Sequence, residues 1–285
     1  FYLADARPQD PAFAARDRIT RAPKALGFVD LKPTIRLTSA GKKLLQSPFT
    51  SEIIAKQLLK FQLPSPYHKL PGKDFYVRPY LEFLHLLARV GSLSKTEISL
   101  YFTQLTHTDK FDFIVKKIHD FRKQRSSFKG SYKTYAHECF KKEILSIFAD
   151  QVKARDLKTR GSSDTSLEKF IRTKTGMMRD YADAFIRYWR ATQLVSFQKK
   201  TYHVIISPEK KDEVDFILKN ISRKPLSFKN ECEFKKYLFS TGNIGLLSDD
   251  LKHLSKKLAH LRVPHDPKKQ TIHELKIHLK AAEER

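Results

Sequence analysis

Cysteines are few in this sequence, and long apolar runs are absent. The 285 residues include two cysteines, Cys139 and Cys232, which lie far apart and match no metal-binding spacing. They exclude a disulfide-rich secreted scaffold and indicate reduced cysteines of a cytoplasmic protein. No apolar run approaches the roughly 20 residues of a membrane span, and no signal peptide is visible. The chain begins at Phe1 and not at Met, so we expect that further residues precede it.

Acidic residues are also scarce relative to basic ones. Lys and Arg number 55 against 31 Asp and Glu, which gives a formal net charge of +24. Such a charge repels itself unless a polyanion neutralises it. The hydrophobic content of 40%, with 21 Phe, is enough to build cores and excludes a disordered basic tail. A basic membrane-surface protein is disfavoured, because the aromatic residues have core-like spacing. The length suggests about two domains.

Catalytic patterns are missing or weak. The sequence has no Walker or dinucleotide phosphate loop and no Ser-His-Asp or Cys-His arrangement. Asp266, Glu274 and Lys276 have the spacing of a nuclease motif, but that motif needs Glu and Lys on a strand, and Glu274 belongs to a helical capping box. Glu233 and Lys235 repeat the pattern in a helix-like run. Five histidines near the end of the chain have spacings that put them on no shared face with a third ligand: His253, His260, His265, His273 and His278. We therefore expect no catalytic residue and no metal ligand here.

A basic helix is predicted over residues 109–125, and we take the rest of the chain to be organised around it. Phe111, Ile114, Ile118 and Phe121 have the spacing of one buried helix face. Seven Lys or Arg and one Asp lie between positions 116 and 133, where a Ser- and Gly-containing loop continues the run. An ordinary solvated surface usually mixes both signs, so the run favours a phosphate-binding surface. A merely soluble surface is the alternative.

A β-hairpin is predicted near the start of the chain. Residues 27–31 and 34–37 alternate as two strands around Lys32-Pro33, and Thr38 or Ser39 caps the following helix. A short helix over residues 12–19 precedes the hairpin, and this order is the ending of a winged-helix module. The cations before the hairpin would lie on its recognition helix, or would instead form salt bridges with Asp17 and Asp30.

A helix-turn-helix pattern follows in the middle of the chain. Pro79 opens a helix that stops at Gly91, and Ser94 with Glu97 forms a capping box for the next helix. The pattern also occurs in many helical bundles. A further helix is predicted over residues 141–148, before a basic linker and a boundary at residues 161–163.

A second hairpin follows a second basic helix. Tyr181, Phe185, Tyr188 and Trp189 have helical spacing and are predicted to be core residues. Residues 194–197 and 202–206 then form strands around a Lys-Lys turn. The two hairpins, each between helices, constitute a weak internal repeat. After them Ser248 is predicted to cap a leucine-bearing helix, and Thr271 with Glu274 forms another capping box.

These patterns predict a mainly α fold with small β-hairpins, of the α+β class. We expect two winged-helix (helix-turn-helix) subdomains in tandem, over residues 1–150 and 151–224, and a helical linker over residues 225–285. In each subdomain the helix before the wing would enter the major groove of DNA. The cations expected to contact DNA are Arg16, Arg18, Arg21, Lys24, Lys69, Arg122, Lys123, Arg125, Lys129, Lys133, Arg172, Lys174, Arg179, Arg187, Arg190, Lys199 and Lys200.

Several strings resemble the N-terminal portion of AlwI-like type IIS restriction endonucleases and the related site-specific nicking endonucleases. They stand in the family's order from about residue 12 to about residue 218: ARDRITRAPKALGFVDL, IRLTSAGKKLL, KQLLKFQLPSPYHK, RPYLEFLHLLARVGSLSKTEI, FRKQRSSFKG and RDYADAFIRYWRATQLV. The resemblance implies a bacterial restriction protein whose N-terminal region binds a short asymmetric duplex site. It also implies a separate Mg²⁺-dependent nuclease domain that cuts outside the site.

Family members usually carry further residues before the ARDR string and a nuclease domain after the linker, so we expect this chain to be part of a longer enzyme. The catalytic carboxylates of the family have no matching positions here. We expect double-stranded DNA as the partner, bound by a monomer, with a second nuclease subunit as an option for cutting the other strand. Two alternatives remain open: a non-enzymatic winged-helix regulator on palindromic sites, and an RNA- or single-strand-binding protein.

Overall fold

A computed structural model describes residues 22–67, 74–159, 163–198 and 201–284. This part of the chain is mainly helical and contains two small antiparallel strand pairs, in agreement with the α+β prediction. By its internal contacts the chain divides into two compact units. The terminal unit holds the described residues of Phe1–Lys69, Pro208–Ser222 and Leu226–Arg285, and the central unit holds those of Leu70–Ser207 and Arg223–Pro225.

The elements up to residue 153 are, in order, helix α1 (Ala22–Ala25), strands β1 (Val29–Asp30) and β2 (Arg36–Leu37), and helices α2 (Ser39–Gln46), α3 (Thr50–Lys60), α4 (Pro79–Val90), α5 (Lys95–Leu100), α6 (Phe111–Ser127), α7 (Tyr132–Ile147) and α8 (Ala149–Lys153). The later elements are helix α9 (Leu167–Ala191), strands β3 (Val195–Phe197) and β4 (Val204–Ile206), and helices α10 (Lys211–Asn220), α11 (Glu231–Phe239), α12 (Leu251–His260) and α13 (Ile272–Glu283). The predicted helix over residues 12–19 lies outside the described residues.

The helices of the central unit begin and end at the residues that local chemistry favours. Pro79 occupies the first turn of α4, and Gly91 ends that helix with a φ of 80°, a backbone conformation that side chains other than glycine rarely adopt. Ser94 and Glu97 form the predicted capping box of α5. Helix α7 begins earlier than predicted, because the Ser131 side chain accepts from the backbone N–H of Thr134 and caps it.

The core of the central unit is an aromatic cluster between α4 and α9. Trp189 is fully buried, and Phe185 stacks on Tyr80 at 4.5 Å between ring centroids. Phe83 also packs against Phe185, with 5.0 Å between the centroids. The prediction of Tyr181 as a core residue is wrong, since 64% of this residue is exposed. A period of 3.6 residues places Tyr181 about 80° away from Trp189 on the helix, which is enough to turn it out to solvent.

The two hairpins are short. Asp30 pairs with Arg36 across β1 and β2, and Ser196 pairs with Ile205 across β3 and β4. In the central unit, Leu93 between α4 and α5 joins the second hairpin as an antiparallel bridge to Val204. Its N–H donates to the Val204 carbonyl at 2.9 Å, and the Val204 N–H donates back at 2.8 Å. A residue from the α4–α5 turn thus forms a short third strand beside β4.

The terminal unit joins segments that are distant in the sequence. The Gln57 amide donates to the carbonyls of Leu26 (2.8 Å) and Leu238 (2.6 Å), so it ties α3 to both flanking segments. Thr38 caps α2, as predicted. The prediction of Ser248 as a helix cap is wrong: residues 247–249 form a 3-10 turn, and the side chain of Asp250 caps α12 instead. The carboxylate is as good an N-cap acceptor as the hydroxyl.

The two units do not follow the predicted division into residues 1–150, 151–224 and 225–285. Helices α12 and α13, predicted as a linker, share a buried leucine cluster that includes Leu254 and Leu275. They belong to the same compact unit as α2 and α3, and within it Lys276 of α13 pairs with Glu52 of α3 at 2.5 Å. The assignment of the three segments to two winged-helix DNA-recognition subdomains and a helical linker stays a prediction.

Candidate nucleic-acid interface

Six of the cations expected to contact DNA lie outside the described residues: Arg16, Arg18, Arg21, Lys69, Lys199 and Lys200. Of the others, Lys24 belongs to the terminal unit. It is half-buried, and its Nζ lies 4.6 Å from the centroid of the Tyr67 ring. A cation over an aromatic face is attracted by the ring quadrupole, so part of this side chain is already engaged. The remaining ten predicted cations belong to the central unit.

Arg122 forms three hydrogen bonds inside the central unit, and its predicted DNA contact stays a prediction. From α6 its Nε donates to Glu97 Oε1 at 2.5 Å. Its two Nη atoms donate to the carbonyls of Val90 (3.2 Å) and Ser92 (2.5 Å), at the end of α4 and in the following turn. Glu97 also accepts from the N–H of Ser94 at 2.7 Å. Arg122 thus connects α6 with the α4–α5 turn through three of its five N–H donors.

Arg125 braces the turn between α6 and α7. Its Nη1 donates to the carbonyl of Phe128 at 3.1 Å, and its Cζ lies 6.0 Å from the ring centroids of both Tyr132 and Tyr135. The guanidinium is still partly exposed. The three lysines predicted nearby are exposed: Lys123, Lys129 and Lys133. The turn therefore presents cations to solvent, with Arg125 as its support.

Lys174 points away from the other cations of α9. Its Nζ lies 4.2 Å from the centroid of the Phe148 ring and 5.0 Å from that of Phe170. Phe170 is buried, and Phe148 packs on it edge-to-face. Lys174 therefore covers an aromatic pair with its charge, which uses the side chain within the unit.

The four arginines predicted on α9 form an exposed stripe. Arg172, Arg179 and Arg190 are 7 and 18 positions apart, so at about 100° per residue they project within about 20° of one another. Arg187 lies about 60° away on the same side. None of the four is within ion-pair distance of a carboxylate among the described residues. The stripe is therefore available for an external anion.

One acidic residue within this stripe is neutralised inside the unit. Asp183 lies between Arg179 and Arg190 on the helix, and Lys95 of α5 pairs with it at 2.6 Å. Both side chains are about half exposed, so the pair contributes little to stability. Its effect on the surface is larger, because it offsets one negative charge that would repel a phosphate.

The second hairpin lies beside the C-terminal end of α9. The guanidinium of Arg190 stacks over Phe197 of β3, with 5.3 Å between its Cζ and the ring centroid. At the far end of the hairpin Tyr202 is 77% exposed and has a φ of 54°. The Gln198 N–H donates to the His203 carbonyl at 2.9 Å and joins the ends of the two strands. An arginine and an exposed aromatic ring thus flank the hairpin.

A basic groove runs between α7 and the N-terminal half of α9. It has a volume of about 1050 Å³. Its walls include the predicted cations Lys133, Arg172 and Arg179. The Arg179 Cζ lies 4.9 Å from the ring centroid of Phe140, a buried residue of α7, so this arginine is anchored at the groove wall. The structure therefore brings together cations from two segments that the sequence separates.

Two residues of this groove escaped the sequence prediction, namely His137 and Lys141 of α7. They follow Lys133 at intervals of four, so they share one face of a helix with it. That spacing was available in the sequence. The sequence prediction begins this helix only at residue 141 and places Lys133 in a loop, so it does not contain this shared face.

The nuclease-like spacings do not converge in space. Glu274 accepts from the N–H of Thr271 at 2.7 Å, whereas Lys276 pairs with Glu52 (2.5 Å) and Asp249 (2.7 Å). Burial alone would lower the pKa of Lys276, but the charge of Glu52 and the bonds to both carboxylates raise it above its usual value. Lys276 is therefore a cation with a structural role in the terminal unit.

The second E-x-K behaves similarly. Lys235 lies 3.2 Å from Glu231 and 3.4 Å from Asp30, while Glu233 accepts from the N–H of Lys229 at 2.7 Å. Among the described residues, no three His, Cys, Asp or Glu side chains are grouped so that they could hold a metal ion. The Mg²⁺ implied by the resemblance has no ligand set that fits it within this part of the chain.

No helix within the described residues is long and apolar enough to span a membrane.

Comparisons with known proteins place the chain in a family. No curated protein matches the sequence significantly. Among solved structures, the chain is similar to the BpuJ1 endonuclease binding domain in complex with pyrene- and phenanthrene-modified DNA, with a TM-score of 0.49 and 16% identity, over 84% of this chain and 80% of that one. The AlwI restriction endonuclease family matches residues 24–281. The chain therefore belongs to the AlwI restriction endonuclease family.

Proposed function

We propose that the central unit binds double-stranded DNA as a winged helix, as part of the DNA-recognition region of a restriction endonuclease. In this assignment α4 is the first helix, Leu93 the short first strand, and α5 the second helix. Helix α9 is the recognition helix, and β3 with β4 forms the wing. The observation that carries the proposal is the pairing of Leu93 with Val204, which closes the small sheet typical of the winged-helix fold.

The proposal differs from the sequence prediction in its choice of helices. Between α5 and α9 the chain inserts α6, α7 and α8. The recognition helix α9 is therefore separated from α4 and α5 by more than 60 residues. Lys95 of α5 pairs with Asp183 of α9, and this contact supports their assignment to one motif. In helix-turn-helix proteins the recognition helix enters the major groove and its side chains contact base edges.

The exposed arginines near the wing have the chemistry for this role. Helix α9 has 25 residues and is about 37 Å long, whereas the major groove is about 12 Å wide, so only part of the helix can enter it. We assign this part to the C-terminal half, because Arg187 and Arg190 lie there beside the wing. Guanidinium groups bind guanine O6 and N7 as bidentate donors, and each such contact is worth about 1–3 kcal/mol of discrimination.

A second winged helix is proposed in the terminal unit. The β1–β2 hairpin lies between α1 and α2, the order expected at the end of such a module. Arg36 of this hairpin is exposed and reaches Asp30 at 3.1 Å. The cations proposed to serve this module are Arg16, Arg18, Arg21 and Lys24.

Further proposals concern the parent enzyme. We propose a bacterial, cytoplasmic type IIS enzyme that recognises a short asymmetric site as a monomer and cuts outside it. Its phosphodiester hydrolysis would use Mg²⁺ in a nuclease domain of the parent protein. A nicking enzyme that needs a second subunit for the other strand is the variant proposal. These statements rest on the family resemblance.

Selection from a pool of randomised duplexes tests the DNA-recognition proposal. The wild-type chain should enrich one asymmetric sequence. Arg190→Gln should relax the preference at one base pair and lose roughly tenfold in discrimination there. Lys116→Ala serves as the control, because this exposed lysine lies on α6 outside the α9 stripe. Enrichment of palindromes by a dimer, or stronger binding of single strands or RNA, would contradict the proposal.

A further inference from the structure

The basic groove between α7 and α9 is not used by the winged-helix assignment. Its lining residues belong to the inserted helix α7 and to the N-terminal half of α9. Arg172 in this groove and Arg190 beside the wing are 18 residues apart, which is about 27 Å along the helix axis. A contact with DNA at the groove is therefore separate from a contact at the wing.

The groove is strongly cationic. Its basic side chains are Lys133, Lys141, Arg172 and Arg179, with His137 between the lysines, and Glu168 is the acidic residue of the lining. Apart from Arg179, which also stacks on Phe140, these basic side chains form no ion pair or ring contact among the described residues. Four positive groups that face one concave surface repel one another unless an anion lies between them. The charge complementarity points to a chain of phosphates.

Gly176 provides a second, independent indication. It lies in the interior of α9 and lines the groove. Glycine in a helix interior is about 1 kcal/mol less favourable than alanine, so its presence calls for a reason. Packing inside the unit does not supply one, because a Cβ at this position would meet nothing within 4 Å. A glycine facing an open groove instead permits a ligand backbone to approach the helix closely.

We propose that the basic groove binds a segment of the sugar-phosphate backbone of duplex DNA, with Gly176 at the point of closest approach. The proposal rests on the proposed function, since it takes duplex DNA as the ligand. Lys133, Lys141, Arg172 and Arg179 contact phosphates there and carry no sequence information. The groove positions the recognition helix, whereas the half of α9 beside the wing reads the bases.

Two adjacent lysines of α7 provide a matched test. Lys141 lines the basic groove, whereas Lys142 lines a different pocket, between α6 and α7. Both are exposed, so neither substitution should affect folding. The probe is a 40-base-pair duplex of random sequence, and binding is followed by fluorescence anisotropy over a series of salt concentrations. Lys141→Ala should lower the slope of log K against log salt by about 0.9, and Lys142→Ala should leave it unchanged.

Substitution of Gly176 tests the close approach. Leucine is a good helix former and would fill the groove without a change of charge, and alanine is the smaller step. Gly176→Leu should raise the Tm by about 3 °C and weaken duplex binding about tenfold. Gly176→Ala should raise the Tm similarly with a smaller loss of binding. Equal stabilisation with unchanged DNA affinity in both variants would overturn the groove proposal.

The outcomes separate the two proposals. If wild-type protein binds no duplex at all, the proposed function fails, and the groove proposal fails with it. If wild-type protein selects a sequence but Lys141→Ala and Lys142→Ala have the same salt slope, the groove proposal alone fails. If the groove variants lose affinity equally for every sequence while Arg190→Gln loses only discrimination, both stand.

Discussion

Replacement of Arg122 by Met should destabilise the central unit, although the sequence predicts a DNA-contacting arginine at this position. The guanidinium joins Glu97 to the carbonyls of Val90 and Ser92, so it connects α6 with the α4–α5 turn. Methionine keeps the length and the apolar stem of the side chain but removes every donor. The variant therefore measures the loss of the hydrogen bonds while most of the side-chain packing is kept.

The magnitude follows from the burial of the partner. The Glu97 side chain is 3% exposed and that of Arg122 is 33% exposed. Loss of one partner of a buried ion pair costs about 3–5 kcal/mol, because the other charge stays buried without compensation. The partial exposure of Arg122 and the bonds of Glu97 to Ser94 reduce this cost. We expect a loss of about 2–4 kcal/mol in the free energy of unfolding.

Urea unfolding at neutral pH measures this loss. The midpoint should fall while the m-value stays the same, since the fold and its buried area are unchanged. Lys123→Met is the matched control: it removes a neighbouring exposed cation and should stay within about 0.5 kcal/mol of wild type. Arg122→Met combined with Glu97→Met should recover part of the loss, because the uncompensated carboxylate is then gone.

The opposite pattern would refute the structural role of Arg122. A loss below about 1 kcal/mol, together with a salt slope of DNA binding that falls by about one unit, would show that this guanidinium contacts a phosphate. The free energy of unfolding reports the structural role, and the salt slope reports a phosphate contact, so each role has its own measurement. A loss of stability with an unchanged salt slope is the result that the geometry requires.

Two further predictions concern acid stability and a glycine. Burial and the charge of Arg223 lower the pKa of His85 to about 4, so the folded state keeps this ring neutral while the unfolded chain protonates it near pH 6.5. Stability should therefore be complete above about pH 6.5 and fall by at most about 3 kcal/mol on acidification to pH 4, and His85→Leu should flatten this part of a urea-midpoint profile against pH. An equal slope in the variant would exclude His85 as the cause. Gly27 has a φ of 73°, and an added Cβ would lie 2.7 Å from the Leu238 carbonyl oxygen. Gly27→Ala should therefore lower stability by about 1–3 kcal/mol in thermal unfolding, whereas an unchanged Tm would disprove the close approach.

The local features of this fold were readable from the sequence. The capping boxes at Ser94 and Thr271, the start of α4 at Pro79 and its end at Gly91 were all predicted and are confirmed. Each depends on residues no more than four positions apart. The hydrogen-bonding groups of a cap or a turn are satisfied by residues a few positions away. The residues that specify it are therefore close together in the sequence.

Contacts between distant segments were not readable in this way. Leu93 pairs with Val204 across 111 positions, and the inserted helices α6 to α8 separate α5 from its partner α9. A periodic pattern shows which face of a helix is buried, but not which element buries it. In the proposed winged-helix assignment these helices are an insertion within one module, which the predicted repeat of two similar modules does not include.

The charges show the same division. The sequence by itself determined that the chain is strongly basic and that α9 carries a stripe of arginines, because composition and helical period suffice for both. Only the tertiary structure decided which cations stay available: Arg122 is bound by Glu97 and Lys174 by aromatic rings, whereas Lys141 faces a groove. The physical reason is that the partner of a charge is set by packing between segments, and packing is not encoded in the order of neighbouring residues.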